Sequence, residues 1–456
     1  MYEDKILRYL EWALDKGAKY ADVRIEMRDS TVLTIRDGTL REMVGGIEVG
    51  AGIRILRNCW GFASTNDMDD AQGAFERAFK LSGLRGEKIS LKKTKPARDD
   101  FTIKVKKSPK DVDIEIKKKI VMDAYRAAKS HERVKSVTVN YADSIKKKFF
   151  ANTDGALISS LTPSVMFSIM AVAREGNLLQ EARERTGAVA GFEYIEKEDI
   201  CQTALRASER SVKLLDAKSP PAGKYPVVMN PTLAGVFMHE ALGHAAEADH
   251  ILLGESILAG KSRRKIASEL LTVCDNPTIQ ESYGFYKYDD EGVPSGNTVV
   301  IEKGVLKTFL QSRESAYFMR ADTTGNARAE SYADLPIVRM SNTVIEKGDR
   351  NFEELAEIKE GIYAKGMRGG QVDTVRGEFQ FSAEEGFLIK NGEIKKMLRN
   401  VSLSGRTLDA LKGIDAVGKD FSRGSIGQCG KQGQSVPVAE FGPHVRVTEL
   451  LVGGVA

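Results

Sequence analysis

The sequence predicts an α+β protein, with a mixed α/β amino-terminal region and a mainly β carboxy-terminal domain that carries one early helix. The chain has 456 residues, of which 42% are hydrophobic and 29% charged. Its length exceeds the usual size of one hydrophobic core, and its composition is ordinary for a globular protein. The segment KSPPAGKYP at 218–226 contains three prolines, which favour an extended linker. We therefore expect one domain over 1–217 and a second over 226–456.

The amino-terminal region alternates between helix and strand patterns. An amphipathic helix with apolar residues on one face is expected around 6–14, with Gly17 as its stop. Alternating strands follow, and Asp37 and Gly38 predict a hairpin turn between them. A second helix is expected around 74–79. Strands followed by a helix occur twice in this region, which indicates a mixed α+β arrangement.

A lysine-rich stretch at 85–110 is poor in large apolar residues and indicates a solvated connector or edge segment. It divides the amino-terminal domain into two possible subdomains, about 1–85 and 110–217. In the second of these we expect helices at 113–129 and 197–215, with strands at 137–141 and 165–171 between them. Beyond 226 one helix is followed by short strand-like runs separated by Gly, Asp and Asn.

Charge and cysteine content favour a cytoplasmic protein with no membrane or nucleic-acid partner. The net charge is only +4, from 68 basic and 64 acidic residues, so direct nucleic-acid binding has no strong electrostatic basis. The opening MYEDKILRYL lacks the order of a signal peptide, and no apolar run has the length of a membrane span. The cysteines Cys59, Cys201, Cys274 and Cys429 are widely spaced, which suits a reducing compartment.

The string VVMNPTLAGVFMHEALGHAAEAD contains the most informative pattern in the chain. A helix could begin at Asn230 and Pro231, and it would carry His239, Glu240 and His244. Neutral imidazoles bind Zn²⁺, and a neighbouring carboxylate can take a proton from water. The pattern therefore predicts a hydrolytic metal site.

The spacing of the two histidines conflicts with a regular α-helix. The histidines of HExxH lie four residues apart on one face, whereas His239 and His244 lie five apart. At about 100° per residue, a regular helix would separate their side chains by roughly 140°. A one-residue π-bulge would restore the alignment, and Gly243 could ease it. We therefore expect the helix to depart from α geometry between the histidines.

A catalytic zinc site needs a third protein ligand, and the residue pattern leaves several candidates open. Glu247, Asp249 and His250 are close in sequence, while Cys429 and His444 are distant. Cys429 lies in the glycine-rich loop GSIGQCGKQGQSVPV, where backbone could approach an ion. A lone cysteine is also commonly a small buried apolar residue.

Several motifs resemble the TldD/PmbA family, on its TldD branch. HEALGH followed by EAD resembles the family's metal helix, and GIRILRNCWGFAST resembles its amino-terminal signature. YDDEGVPS, GVLKTFLQSRESA, TGNARAESY and RMSNTVIEKG follow in family order, before GGQVDTVRGEFQFSAEEGFLIKNGEI and CGKQGQSVPV. The resemblance covers nearly the whole chain.

This resemblance implies a zinc-dependent peptidase that acts on short or unfolded peptides, with a carboxy-terminal metallopeptidase domain. It implies one Zn²⁺ per chain, held by His239, His244 and Cys429, with Glu240 as general base. It also implies a homodimer, or a heterodimer with a TldE/PmbA-like sister protein. The alternative is a non-catalytic subunit or scaffold of such a complex.

Two questions stay open at the level of sequence. Arg328, Arg339, Tyr332 or a backbone N–H could stabilise the oxyanion, and the sequence does not choose among them. The remaining cysteines, Cys59, Cys201 and Cys274, receive no role beyond core packing.

Overall fold

The computed structural model describes residues 2–86 and 88–454. Its helices are α1 Tyr2–Asp15, α2 Ala71–Ser82, α3 Ile114–Ala128, α4 Glu193–Lys197, α5 Ile200–Asp216, α6 Pro231–Met238, α7 Ala248–Leu253, α8 Arg313–Phe318, α9 Phe352–Ala356 and α10 Thr407–Lys412. The strands of the first half are β1 Tyr20–Arg36, β2 Thr39–Leu56, β3 Trp60–Thr65, β4 Arg98–Thr102, β5 Val134–Asn152, β6 Leu157–Glu175 and β7 Leu178–Ala188.

The strands of the second half are shorter and more numerous. They are β8 Gly223–Met229, β9 Val273–Asp275, β10 Thr298–Glu302, β11 Val305–Leu306, β12 Ala327–Arg328, β13 Ile337–Val338, β14 Asn342–Ile345, β15 Glu360–Asp373, β16 Glu378–Lys390, β17 Glu393–Leu398, β18 Val401–Arg406, β19 Ile414–Val417, β20 Ser422–Lys431, β21 Gln434–Gly442 and β22 Val445–Gly454. The expected α+β class with a β-rich carboxy-terminal region is confirmed.

The first sheet has the order β3-β2-β1-β5-β6-β4, with β7 also paired to β6. Asp37 and Gly38 both have positive φ and form the expected turn of the β1–β2 hairpin. Side chains alternate between the two faces of its long strands. Leu33, Tyr141 and Phe167 lie in register on one face, within the core that includes α3 and α5. Strands from both proposed subdomains therefore belong to one continuous sheet.

Two further sheets enclose helix α6. One has the order β15-β8-β22-β18-β16-β17, and the other β11-β10-β9-β14-β21-β20. Phe237 of α6 packs edge-on against Phe379 and Phe381, with ring centroids 5.1 and 5.9 Å away. The side chain of Asn230 caps the helix by accepting from the Leu233 N–H, as the Asn-Pro sequence predicts. The helix is thus fixed at its start and along its buried face.

Two expectations about local structure are refined by the fold. The lysine-rich stretch at 85–110 contributes the short strand β4, which pairs in parallel with β6. Within residues 226–454 the second half contains four short helices after α6, namely α7 to α10, where we expected one helix only. Each has five or six residues, too few to show a helical period in the sequence. Among the described residues, no helix has the length and apolarity needed to cross a membrane.

Candidate metal centre

The helix that carries the two histidines changes geometry where they lie. After α6, residues His239–Gly243 form a π-helical turn, in which the His244 N–H donates to the His239 carbonyl. Because this hydrogen bond spans five residues, it brings His239 and His244 to the same side, with ring centroids 5.3 Å apart. The expected departure from α geometry is confirmed.

Gly243 permits close packing rather than an unusual backbone angle. Its φ is −58°, which any residue can adopt. A Cβ atom at this position would collide with the sulfur of Met340. A glycine at this position therefore lets the π turn pack directly against Met340, which lies between β13 and β14.

The structure brings Cys429 to the two histidines. One donor atom from each of His239, His244 and Cys429 lies within 4.8 Å of the others. The Cys429 Sγ lies 3.5 Å from the His244 Nε2. Zinc bonds of roughly 2.3 Å to sulfur and 2.0–2.1 Å to nitrogen, at tetrahedral angles, would separate these two donors by about 3.5 Å. The residues present therefore fit a tetrahedral metal ion.

Hydrogen bonds behind each imidazole orient its metal-facing nitrogen. The Nδ1 of His244 lies 3.1 Å from the Glu247 Oε2, which leaves Nε2 toward Cys429. The Nδ1 of His239 lies 3.3 Å from the Thr343 Oγ1 and 3.8 Å from the Glu440 Oε1. Such outer partners fix the tautomer and the ring plane of metal-binding histidines.

The electrostatics of the cluster favour a thiolate. Burial acts to raise the pKa of Cys429, but hydrogen bonds and charges from His239 and His244 lower it to about 4. Burial acts to lower the pKa of His239, yet Cys429 and Glu440 together raise it to about 9. A cation bound here would replace the protons on the imidazoles as the partner of the thiolate.

The other candidates for the third ligand have different neighbours. Glu247 and Asp249 both form ion pairs with the Lys431 ammonium, at 3.0 and 2.7 Å. Together with His250 they form a separate group of possible ligands. His444 lies elsewhere and bonds to the Tyr363 hydroxyl, at 3.0 Å, and to Asp420. Neither Glu247 nor His444 belongs to the group formed by the two histidines and Cys429.

Two carboxylates border the three donors. The Glu240 side chain is 36% exposed, and its Oε2 lies 4.0 Å from the His244 Nε2. Glu440 is buried, and burial, opposed by the charge of His239, raises its pKa to about 7. Glu240 is therefore the carboxylate that a ligand from solvent can reach.

The sequence analysis missed Glu440, although a single acidic residue in the apolar strand VPVAEFG was a signal.

The three side chains considered for the oxyanion occupy different places. Arg339 is fully buried and donates to the carbonyls of Cys429 and Gln434. Tyr332 packs against the glycines of β2, where Cβ atoms would collide with it. Arg328 lines a large cavity beside the β20–β21 hairpin.

Comparison with known proteins identifies the family. The PmbA/TldA metallopeptidase domain 1, central domain and C-terminal domain match residues 21–82, 107–215 and 222–454. A metalloprotease of Methanothermobacter thermautotrophicus is 45% identical, over 97% of each chain. A zinc metalloprotease TldD homolog of Saccharolobus solfataricus is 34% identical, over 98% of this chain and 100% of the relative.

A solved structure shows the same fold. The crystal structure of TldE from Thermococcus kodakarensis superposes with a TM-score of 0.80 at 18% identity, and covers 98% of this chain and 100% of its own. The long matches in sequence and the shared fold agree with the order of motifs along the chain. The chain belongs to the PmbA/TldD metallopeptidase family.

Proposed function

We propose that this protein is a zinc-dependent peptidase, with one Zn²⁺ per chain held by His239, His244 and Cys429. The observation that carries the proposal is the convergence of these three donors, within 4.8 Å of one another, beside the partly exposed Glu240. Three protein ligands leave a fourth tetrahedral position for water or substrate, which is typical of catalytic rather than structural zinc.

Glu240 acts as the general base in this proposal. Bound zinc supplies a Lewis acid that polarises a carbonyl group and acidifies water. The Glu240 carboxylate accepts the proton of the attacking water and then donates it to the leaving amine. Its partial exposure allows both contacts, whereas Glu440 is buried behind His239. Glu247 and Thr343 hold the two imidazoles in position.

The substrates in this proposal are peptides, since the relatives are named metalloproteases. The resemblance to the TldD branch implies that these peptides are short or unfolded. We also propose that the chain works as a homodimer, or as a heterodimer with a TldE-like sister. Exposed apolar residues on β2 support association: Met43, Val44 and Ile47 are 54%, 57% and 65% exposed. Among the described residues, strand β3 pairs with Ala51–Leu56 of β2. The part of β2 that carries Met43, Val44 and Ile47 therefore has no β3 partner along its outer edge.

Zinc content and peptide hydrolysis, measured on the same preparations, test the proposal. We expect about one zinc per wild-type chain. Glu240→Gln should keep the metal but lose hydrolysis of an unfolded peptide by about a hundredfold or more. Cys429→Ser should lose both, while Cys274→Ser, at another buried cysteine, should keep both.

The outcomes separate an enzyme from a scaffold. Zinc bound without hydrolysis of any unfolded peptide would favour the non-catalytic subunit. Hydrolysis retained by Glu240→Gln would remove the proposed base.

A further inference from the structure

A cavity of ≈ 410 Å³ lies between the first sheet and the second half of the chain. One wall is the face of the first sheet that points away from α3 and α5. The opposite wall includes residues 283–290 and part of the β20–β21 hairpin, the hairpin that carries Cys429. The cavity thus shares a structural element with the candidate metal centre.

The sheet wall of this cavity mixes apolar residues, such as Val32 and Ile158, with polar ones. Where α3 and α5 cover the sheet, the residues are apolar, as at Leu33 and Phe167. On the cavity side the polar residues include a row of short hydroxyl side chains: Ser30, Ser144, Ser160, Thr162 and Ser164. Short side chains leave space, and hydroxyls can donate hydrogen bonds. This wall therefore suits a polar ligand.

Two cations lie side by side on this wall. Arg28 of β1 pairs directly with Lys146 of β5, so both side chains point into the same cavity. Like charges directly opposite on neighbouring strands destabilise a sheet. The charge of Arg28 contributes to lowering the pKa of Lys146, after the larger effect of burial. An anion placed between the two groups would remove this repulsion.

These cations lack close carboxylate partners within the described parts of the chain. Among the described residues, the Arg28 guanidinium donates to the Glu330 carbonyl, at 3.2 Å. Arg328, also in the wall, donates to the Met340 carbonyl at 2.7 Å, and its guanidinium lies over the Tyr286 ring, 4.9 Å from the centroid. Lys146 has a single loose ion pair, 3.6 Å from Glu26. Three cations therefore retain hydrogen-bonding capacity toward the cavity.

Four acidic residues also line the cavity, and each has close contacts to groups other than Arg28, Lys146 and Arg328. Asp143 pairs with Lys117 at 2.6 Å, Asp290 pairs with Lys148 at 2.7 Å, Glu330 accepts from the Ser435 N–H, and Asp289 accepts from the backbone N–H groups of Glu291 and Val293. The remaining basic residue, Lys287, pairs with Asp99 at 2.6 Å. Among the described residues, Arg28, Lys146 and Arg328 are thus the basic residues of the cavity without a close carboxylate, while the carboxylates of Glu330 and Asp289 accept from neutral N–H groups.

The cavity and the candidate metal centre share strand β20. Gln428 lines it and donates to the Tyr283 hydroxyl at 3.2 Å, whereas the next residue, Cys429, belongs to the metal group. The two sites therefore lie on opposite sides of one strand. Because β20 is the edge strand of its sheet, a peptide that passes round this edge could contact both sites.

We propose that the Arg28, Lys146 and Arg328 side chains bind a carboxylate of the peptide substrate, either its free carboxy terminus or an Asp or Glu side chain. The proposal rests on the peptidase function above. It predicts that the enzyme prefers peptides with a negative charge a few residues from the cleaved bond.

Equilibrium binding of hexapeptides that carry an uncharged fluorophore on a blocked amino terminus, measured by anisotropy, tests this site. The three probes are a neutral peptide with a free carboxy terminus, the same peptide amidated, and the amidated peptide with one Glu. Glu240→Gln protein serves as the binding partner so that the probes stay intact. We expect the fully neutral probe to bind about tenfold more weakly than one or both anionic probes, and the difference to shrink in high salt. The probe that binds tightly identifies the source of the carboxylate.

Charge-removing variants in the same background locate the site. Arg28→Gln and, independently, Lys146→Gln should abolish the preference for the anionic probe. Lys147→Gln removes the same charge from the next residue of β5, which is exposed and lies on the other face, and it should keep the preference. Equal binding of all three probes, or a preference that survives both cavity variants, would overturn the inference.

Hydrolysis by the wild-type protein keeps the two proposals distinguishable. Cleavage without regard to peptide charge, together with equal binding of the probes, would refute the carboxylate site and leave the peptidase intact. Charge-selective binding without hydrolysis by the wild type would refute the peptidase and leave an anion-binding cavity.

Discussion

The His244 Nδ1 lies 3.1 Å from the Glu247 Oε2, and the Glu247 side chain is completely buried. Burial acts to raise the pKa of Glu247, but His244 and Lys431 lower it to about 2. This ionised carboxylate behind the imidazole keeps a proton on Nδ1, so that Nε2 is the nitrogen that can bind a metal once it has lost its own proton. Glu247, one of the alternatives for a metal ligand, is thus placed to orient a ligand.

Removing the charge of Glu247 should weaken zinc binding without removing a ligand. We expect Glu247→Gln to lower zinc affinity by about 10- to 100-fold, the usual effect of losing a hydrogen-bonding partner behind a metal-binding histidine. Competition against a chromophoric chelator measures the affinity. Glu255→Gln, at a 55% exposed carboxylate near His250, is the matched control and should leave it unchanged. An unchanged affinity in Glu247→Gln would show that His244 needs no such support.

The Lys431 ammonium should be essential for the stability of this region. It contacts Glu247 and Asp249 and donates to the Val338 carbonyl at 3.0 Å, while its side chain is 5% exposed. Lys431→Met would remove the ammonium that Glu247 and Asp249 share and leave Glu247 with its His244 hydrogen bond, so we expect a loss of about 3 kcal/mol in the free energy of unfolding. Denaturant titration of metal-free protein measures the change.

A second substitution tests the cause of that loss. Glu247→Gln in the Lys431→Met background should recover part of the stability, because it removes one of the charges that Lys431 had balanced. The exposed Lys412→Met is the control and should shift stability by less than about 0.5 kcal/mol. Additive effects of Glu247→Gln and Lys431→Met would argue against direct coupling.

The sequence predicted the part of the site that depends on local geometry. The five-residue spacing of His239 and His244 required a departure from the α-helix, and the π turn provides it. Cys429 lies 185 positions beyond His244 and could be chosen only through the family resemblance. Glu440 and Lys431 belong to strands β21 and β20, and β21 reaches the helix because it pairs in parallel with β14. Nothing local in the sequence encodes such a long-range pairing.

Gly243 should tolerate no side chain while Met340 is present. Because a Cβ atom would collide with the Met340 sulfur, we expect Gly243→Ala to destabilise the protein by about 1–3 kcal/mol and to weaken zinc binding. Thermal unfolding with and without zinc measures both effects. Gly296→Ala is the control, since its Cβ would meet no atom within 4 Å. Shortening the neighbour in Gly243→Ala/Met340→Ala should restore zinc binding in part; failure to do so would place the strain elsewhere.

Arg339 should act by positioning Cys429 rather than by contacting substrate. Its guanidinium is fully buried and donates to the carbonyls of Cys429 on β20 and Gln434 on β21, near the turn of this hairpin. Without these bonds the hairpin is free to shift the Cys429 thiolate away from the histidines. We therefore expect Arg339→Met to lower zinc affinity, and Arg339→Lys to recover part of it because one donor remains.

The kinetic pattern separates this role from stabilisation of the oxyanion. Replacing a positioning residue lowers the affinity for zinc, and activity returns when excess zinc fills the site. Loss of an oxyanion donor instead lowers kcat at full zinc occupancy, by about a hundredfold or more, and leaves the affinity for zinc unchanged. Chelator competition and kcat at saturating zinc, measured on Arg339→Met, therefore decide between the two roles. We expect the first pattern, since the guanidinium has no exposed surface through which to meet a substrate.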